Sequence, residues 1–100
     1  MARIELAPEV AGDFDRILQH LLEHEVADAR SRIEDIIRAI DVLERNPLIG
    51  RVARAGLREL VIGQGARGYV ALYRYVAGLD SVFVLAIRGQ KEAGYGRVQA

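Results

Sequence analysis

Three segments within residues 57–95 carry apolar residues on both faces of a strand, and this constrains the fold more than any other feature. Side chains alternate across a strand, so Tyr69, Ala71, Tyr73 and Tyr75 share one face and Val70, Leu72, Arg74 and Val76 the other. The following segment sorts into Phe83, Leu85 and Ile87 against Val82, Val84, Ala86 and Arg88. The pattern predicts strands over 57–62, 67–76 and 81–88, joined by turns at 63–66 and 77–80. Successive hairpins make this part of the sheet antiparallel, and apolar residues on both of its faces require two covers.

The first half of the chain offers one cover. Arg3 and Glu5 alternate with Ile4 and Leu6 in a short strand. Pro8 follows where a first helical turn tolerates a missing N–H, with Glu9, Asp13 and Asp15 near the positive end of the helix dipole. Val10, Phe14, Ile17, Leu18, Leu21 and Leu22 then recur at helical spacing up to about residue 25. After a break at 26–28, Ala29, Ile33, Ile36, Ile37, Ile40 and Leu43 repeat the stripe over 28–45, until Asn46 and Pro47 stop it. So short a break forces an antiparallel helical hairpin. Residues 46–56 read as a loop bearing Arg51 and Arg54. The expected fold is α+β: an N-terminal strand and an antiparallel helical hairpin packed on a mainly antiparallel sheet, all within one domain spanning 1–100.

Apolar content of 51% beside 28% charge marks an ordered chain. The absence of cysteine removes disulfides and thiolate metal sites and fits a reducing compartment. No segment approaches the ~20 apolar residues of a membrane span, so a soluble, cytoplasmic protein without a cofactor is expected. Net charge is zero, yet residues 1–48 carry six positive and eleven negative charges while residues 49–100 carry eight and three. The sheet half can meet an acidic partner, or the two halves can neutralise each other.

Arg74 and Arg88 mark their own sheet face as the open one. Either that face takes a partner, or the first helix and the 46–56 loop wrap over it.

Three motifs bear on chemistry. His20-Leu21-Leu22-Glu23-His24 spells H-x-x-E-H, a pattern of some zinc peptidases, but no third ligand is marked and the motif reads as a solvated helix end. Gly63-x-Gly65-x-x-Gly68 has the letters of a dinucleotide fingerprint, yet a strand follows where a helix N-terminus is needed, so these are hairpin glycines tolerating positive φ. Arg88, Lys91 and Tyr95, with Arg58 and Arg74, can serve RNA cleavage, carboxylate binding or simple solvation of an edge.

The ordered set Asn46-Pro47-x-x-Gly50-Arg51, Arg58-Glu59-Leu60, Gly68-Tyr69-x-x-x-Tyr73-Arg74 and Val84-Leu85-Ala86-Ile87-Arg88, behind a strand and a helical hairpin, closely resembles the RelE/ParE toxins of type II toxin–antitoxin modules. The resemblance implies a toxin neutralised by a cognate antitoxin that wraps it as helix and strand. RelE-like members cleave mRNA in the ribosome, and ParE-like members inhibit DNA gyrase without known catalytic residues. The cleaving branch has a basic residue after the Gly-Tyr pair and an arginine six residues before its C-terminal tyrosine, where this chain has Val70 and Gly89. Arg58 and Tyr95 do fall where that branch has functional residues, and Lys91 lies in the matching basic tail, so the pattern is partial. A zero net charge also fits a ribosomal ligand poorly. The expectation is therefore a non-enzymatic ParE-like toxin, with a ribosome-dependent endoribonuclease using Arg58, Lys91 and Tyr95 as the alternative and an inactive antitoxin-binding member as the third. Antitoxin contacts are expected at Leu60, Val70, Leu72, Arg74, Val84 and Arg88, and target contacts at Arg88, Lys91 and Tyr95. No membrane or direct nucleic-acid partner is expected, and toxin and antitoxin would form a hetero-oligomer.

Overall fold

The computed structural model describes residues 1–24 and 26–92, with backbone alone at residue 66. Its strands are β1 (Arg3–Leu6), β2 (Arg51–Val52), β3 (Arg58–Ile62), β4 (Tyr69–Val76) and β5 (Ser81–Gly89), in the sheet order β1-β5-β4-β3-β2. Helices α1 (Val10–Glu23) and α2 (Ala29–Asp41) form the expected hairpin, and α2 tightens into a 3-10 turn at Val42–Glu44 before Pro47. β1 lies parallel to β5, and every other pair is antiparallel. The expected loop at 46–56 contains β2, whose two residues pair with Arg58 and Glu59 and add a fifth strand. None of the described helices is long and apolar enough to cross a membrane.

The helical stripes do what their spacing requires. Val10, Ile17 and Leu21 of α1, Ile36 and Ile40 of α2, and Leu43 pack with Ala71, Tyr73, Val82, Val84 and Ile87 of the sheet. Val10, Ile36, Leu43 and Tyr73 have no exposed surface. The α+β class and its layers therefore follow from two amphipathic stripes meeting one sheet face.

Which residues share a face differs from the alternation read along the sequence. Leu72 pairs with Ala86, but its neighbour Tyr73 pairs with Val84, so Leu85 is an extra residue at a β-bulge. Beyond the bulge the parity of β5 flips, and Val84 joins Val82 and Ile87 in the helix-side core instead of facing outward with Leu72. Leu60, opposite Ala71, also packs against the helix-side core. The placement of Leu60 and Val84 on the open face is thus corrected by register.

The hairpin glycines divide. Gly63 and Gly65 adopt φ of 76° and 58°, as a turn demands. Gly68 does not, and is small because a Cβ there would lie 2.8 Å from the carbonyl oxygen of Ile62.

Candidate functional site

The residues that resemble the family's motifs converge on two structural knots. In the first, the hydroxyl of Tyr73 accepts a hydrogen bond from the backbone N–H of Gly50 at 2.9 Å. Nη1 of Arg58, on the same sheet face as Tyr73, donates to the carbonyls of Gly50 at 2.8 Å and Leu48 at 3.1 Å. Arg58 thus closes the loop ahead of β2 and is committed to backbone oxygens.

In the second knot, β5 outruns β1, which ends opposite Val84. Side chains of α1 replace the missing strand: Asp13 Oδ2 accepts the N–H of Ile87 at 3.0 Å, and Arg16 Nη2 donates to its carbonyl at 2.9 Å. Asp13 is 2% exposed and also binds Arg16 at 2.9 Å. Arg16 reaches on to Glu92 at 3.0 Å, and Glu92 accepts the N–H of Gly89 at 2.8 Å.

Burial raises the pKa of the Tyr73 phenol, against smaller opposing effects of the Gly50 N–H and Arg58. An acidic group with a folded pKa above its unfolded value near 10 contributes stability that is complete below that pH and is lost as pH rises through the folded value. Thermal stability should therefore fall above pH ~10, less steeply in Tyr73→Phe. An equal alkaline slope in both proteins, in parallel thermal scans, would contradict this reading.

A cleft of about 450 Å³ opens beside the second knot, between α1, α2 and the Gly89 end of the sheet. Among the described residues its walls carry Arg16, Arg32, Arg67, Lys91, His20 and His24 against one carboxylate, Glu92, over a floor that includes Ile17, Leu21 and Tyr69. The two imidazoles lie 4.2 Å apart, and Nδ1 of His24 is 2.9 Å from the carbonyl oxygen of His20. Glu23, the carboxylate of the H-x-x-E-H lettering, instead accepts a hydrogen bond from Gln19. Among the described residues there is no cluster of three metal-ligating side chains. The motif's two histidines therefore furnish one wall of a basic cleft. Tyr95 lies outside the described residues.

The face carrying Arg74 and Arg88 is partly covered by the chain itself. Leu72 and Ala86 pack beneath Leu57 and Ala53, and Val70 and Leu72 have no exposed surface. Over them runs an ion chain in which Glu59 holds Arg51 at 3.1 Å and Arg88 at 4.0 Å. Arg74 donates to the carbonyl of Ala55 at 3.0 Å and remains exposed. The expected exposed Val and Leu floor is therefore corrected to a charged, loop-covered surface from which Arg74 and Val61 project. The 46–56 loop supplies this cover, while α1 stays on the other side.

A second cleft, of about 270 Å³, was not singled out by any motif. Ile4, Leu6, Phe14, Ile37 and Ile40 line it, with Asp41 and Glu44. Its signal in the sequence is the adjacent pair Ile36 and Ile37: the first is buried, and the second widens the stripe beyond what the sheet covers.

Comparison with known proteins places this geometry. Residues 4–94 match the family model of the ParE toxin of the type II toxin–antitoxin system parDE. Toxin RelE3 of Caulobacter vibrioides is 30% identical over 92 residues, covering 92% of this chain and 98% of that relative. The chromosomal ParDE system from P. aeruginosa superposes with a TM-score of 0.72 at 23% identity, over 89% of this chain and 96% of that one. The intact E. coli RelBE toxin–antitoxin complex gives 0.61 at 12% identity, over 92% and 99%. These two solved structures share the fold, two helices on a five-stranded, mostly antiparallel sheet. On the family match and the similarity to a toxin over nearly its whole length, the chain belongs to the ParE/RelE toxin family of type II toxin–antitoxin systems.

Proposed function

We propose that this toxin acts by binding a target protein, DNA gyrase, without cleaving RNA, and that a cognate antitoxin neutralises it. The observation that carries this reading is the match of residues 4–94 to the ParE family model. The local geometry supports it. Val70, at a position where the cleaving branch is basic, is buried, and Arg58 is held by two backbone carbonyls. Arg58 lies opposite Tyr73, whereas Gly89 lies opposite Tyr69, four residues or roughly 13 Å along β4. Lys91 leaves the sheet beyond that far end, so Arg58 and Lys91 do not share one phosphate-sized site.

Lys91 and Arg88 present the basic end of the sheet to the target, and Tyr95 takes part in binding it. Arg74 and Arg88 meet carboxylates of the antitoxin on the face above Val70 and Leu72. Purified protein should inhibit gyrase supercoiling, and Lys91→Glu, an exposed change, should weaken inhibition roughly tenfold. Full gyrase activity at excess toxin would sink the target assignment while leaving the family intact.

The curated relative named as a RelE toxin favours a second reading, ribosome-dependent mRNA cleavage through Arg58, Lys91 and Tyr95. Transcript cleavage within codons on induction, abolished by Tyr95→Phe, would establish it in place of the first. Soluble folded protein that causes no growth arrest would instead mark a member that only binds antitoxin.

A further inference from the structure

The chain as a whole is neutral, with 14 basic and 14 acidic residues, yet the 450 Å³ cleft gathers Arg16, Arg32, Arg67 and Lys91 around one carboxylate among the described residues. Several cations elsewhere have carboxylate partners, as Arg38 has in Glu34 and Asp35 and Arg51 in Glu59. In the cleft Arg16 is paired in this way, with Asp13 and Glu92. Arg32, Arg67 and Lys91 form no salt bridge among the described residues.

Separate elements hold these groups in place. Arg32 stands on the first turn of α2, and Arg67 in the 3-10 turn Gly65–Arg67 that leads into β4. Lys91 sits in a turn pinned beside the start of β4: the N–H of Gln90 donates to the carbonyl of Gly68 at 2.9 Å, and that of Glu92 to the carbonyl of Gly89 at 3.1 Å. From α1 come the two imidazoles. Nδ1 of His24 is the donor to the His20 carbonyl, so Nε2 is the ring nitrogen left for a ligand. Ile17, Leu21 and Val26 supply the apolar lining, together with Tyr69.

These features select the ligand. The positive charge exceeds what one carboxylate neutralises, and guanidinium forks match phosphate oxygens in pairs. A divalent metal on the imidazoles would have to sit among four cations, which repel it. A concave volume of this size falls in the range of small-molecule sites, and an aromatic ring among apolar walls suits a planar body. We propose that the cleft binds a small phosphorylated ligand with an aromatic ring, a nucleotide in its chemistry. Its phosphates meet Arg32, Arg67 and Lys91 and compete with Glu92 for Arg16, and its base lies against Tyr69. Side chains make this hold, so Gly63, Gly65 and Gly68 take no part as a phosphate loop. The proposal goes beyond the target reading, which does not use Arg32, Arg67 or Tyr69, so nucleotide binding and supercoiling inhibition can each fail without the other.

ADP titrated into the full chain, followed by calorimetry and amide NMR, provides the test. Saturable binding is expected, with shifts at His20, Arg32, Tyr69 and Lys91 and a loss of affinity as salt rises. Adenosine, which lacks the phosphates, and pyrophosphate, which lacks the base, should each bind roughly tenfold more weakly. Arg67→Gln with Lys91→Gln, two exposed side chains, should weaken ADP binding roughly tenfold. Tyr69→Leu should weaken ADP and leave pyrophosphate unchanged. Glu92→Gln, which keeps an acceptor for the Gly89 N–H, should tighten ADP binding by removing the competing charge. The proposal is overturned by the absence of saturable shifts at His20, Arg32 and Tyr69 in millimolar ADP, or by unchanged affinity in the Arg67 and Lys91 double variant. Adenosine or pyrophosphate binding as tightly as ADP would also overturn it. So would a single-stranded oligonucleotide or a glutamate-rich peptide that occupies the cleft while ADP does not, since the cleft would then serve a macromolecule.

Discussion

Replacing Asp13 with alanine should lower the free energy of unfolding by about 3 kcal/mol, the scale of a charge-assisted hydrogen bond together with a buried N–H left without an acceptor. Asp13 is 2% exposed, and its carboxylate does the work of a missing strand by accepting the N–H of Ile87 at 3.0 Å. It also anchors Arg16, which holds the carbonyl of the same residue and reaches Glu92. Alanine removes the acceptor and lets the guanidinium drift, so the end of β5 loses both backbone partners on its outer edge. Asp13→Asn keeps an acceptor and loses the charge, and should cost about half as much. Urea unfolding monitored by circular dichroism measures both, and a loss below about 1 kcal/mol in the alanine variant would show that water replaces the carboxylate.

The second large effect is expected at Gly50, where alanine should cost about 3 kcal/mol by overpacking. A Cβ at this position would lie 2.6 Å from both Cε1 and the hydroxyl oxygen of Tyr73 and 2.9 Å from the carbonyl of Glu59. The ring cannot swing aside, because Tyr73 is wholly buried and tied to the Gly50 N–H. In a Tyr73→Ala background the added methyl meets open space on the ring side, and the penalty of Gly50→Ala should shrink by more than 1 kcal/mol in a double-mutant cycle. Additive effects would mean that the Glu59 carbonyl alone sets the requirement for glycine.

These two positions show how the sequence relates to the site. Gly50 belongs to the Asn46-Pro47-x-x-Gly50-Arg51 run and Tyr73 to the Gly68-Tyr69-x-x-x-Tyr73-Arg74 run, so both were visible as motif letters. Their meaning was not, because the contact spans 23 residues and exists only once β2, β3 and β4 are in register. Arg58 was visible as a candidate catalytic group, and tertiary structure shows its Nη1 bound to two loop carbonyls. Asp13 read as a dipole-complementing acid near the start of α1, whereas its main partner is a strand amide 74 residues away. His20 and His24 read as a helix end, and they became a wall of the basic cleft when the Gly89 end of the sheet came alongside.

Local periodicity alone determined the two helices, the three long strands, their order and the α+β class, since apolar spacing at 3.6 or 2 residues is a property of the chain itself. The ordered motifs, through their resemblance to known toxins, pointed to the family that the comparisons then showed. Tertiary structure decided the rest. The bulge at Leu85 reversed the facing of Val84, because side-chain direction beyond an irregularity depends on the partner strand. The second cover proved to be the chain's own loop on one face, while among the described residues an apolar trough was left beside β1 at the margin of the sheet. No residue pattern specifies such an edge, because it arises only when the elements have taken their neighbours and the outermost strands, β1 and β2, have none left among the described residues.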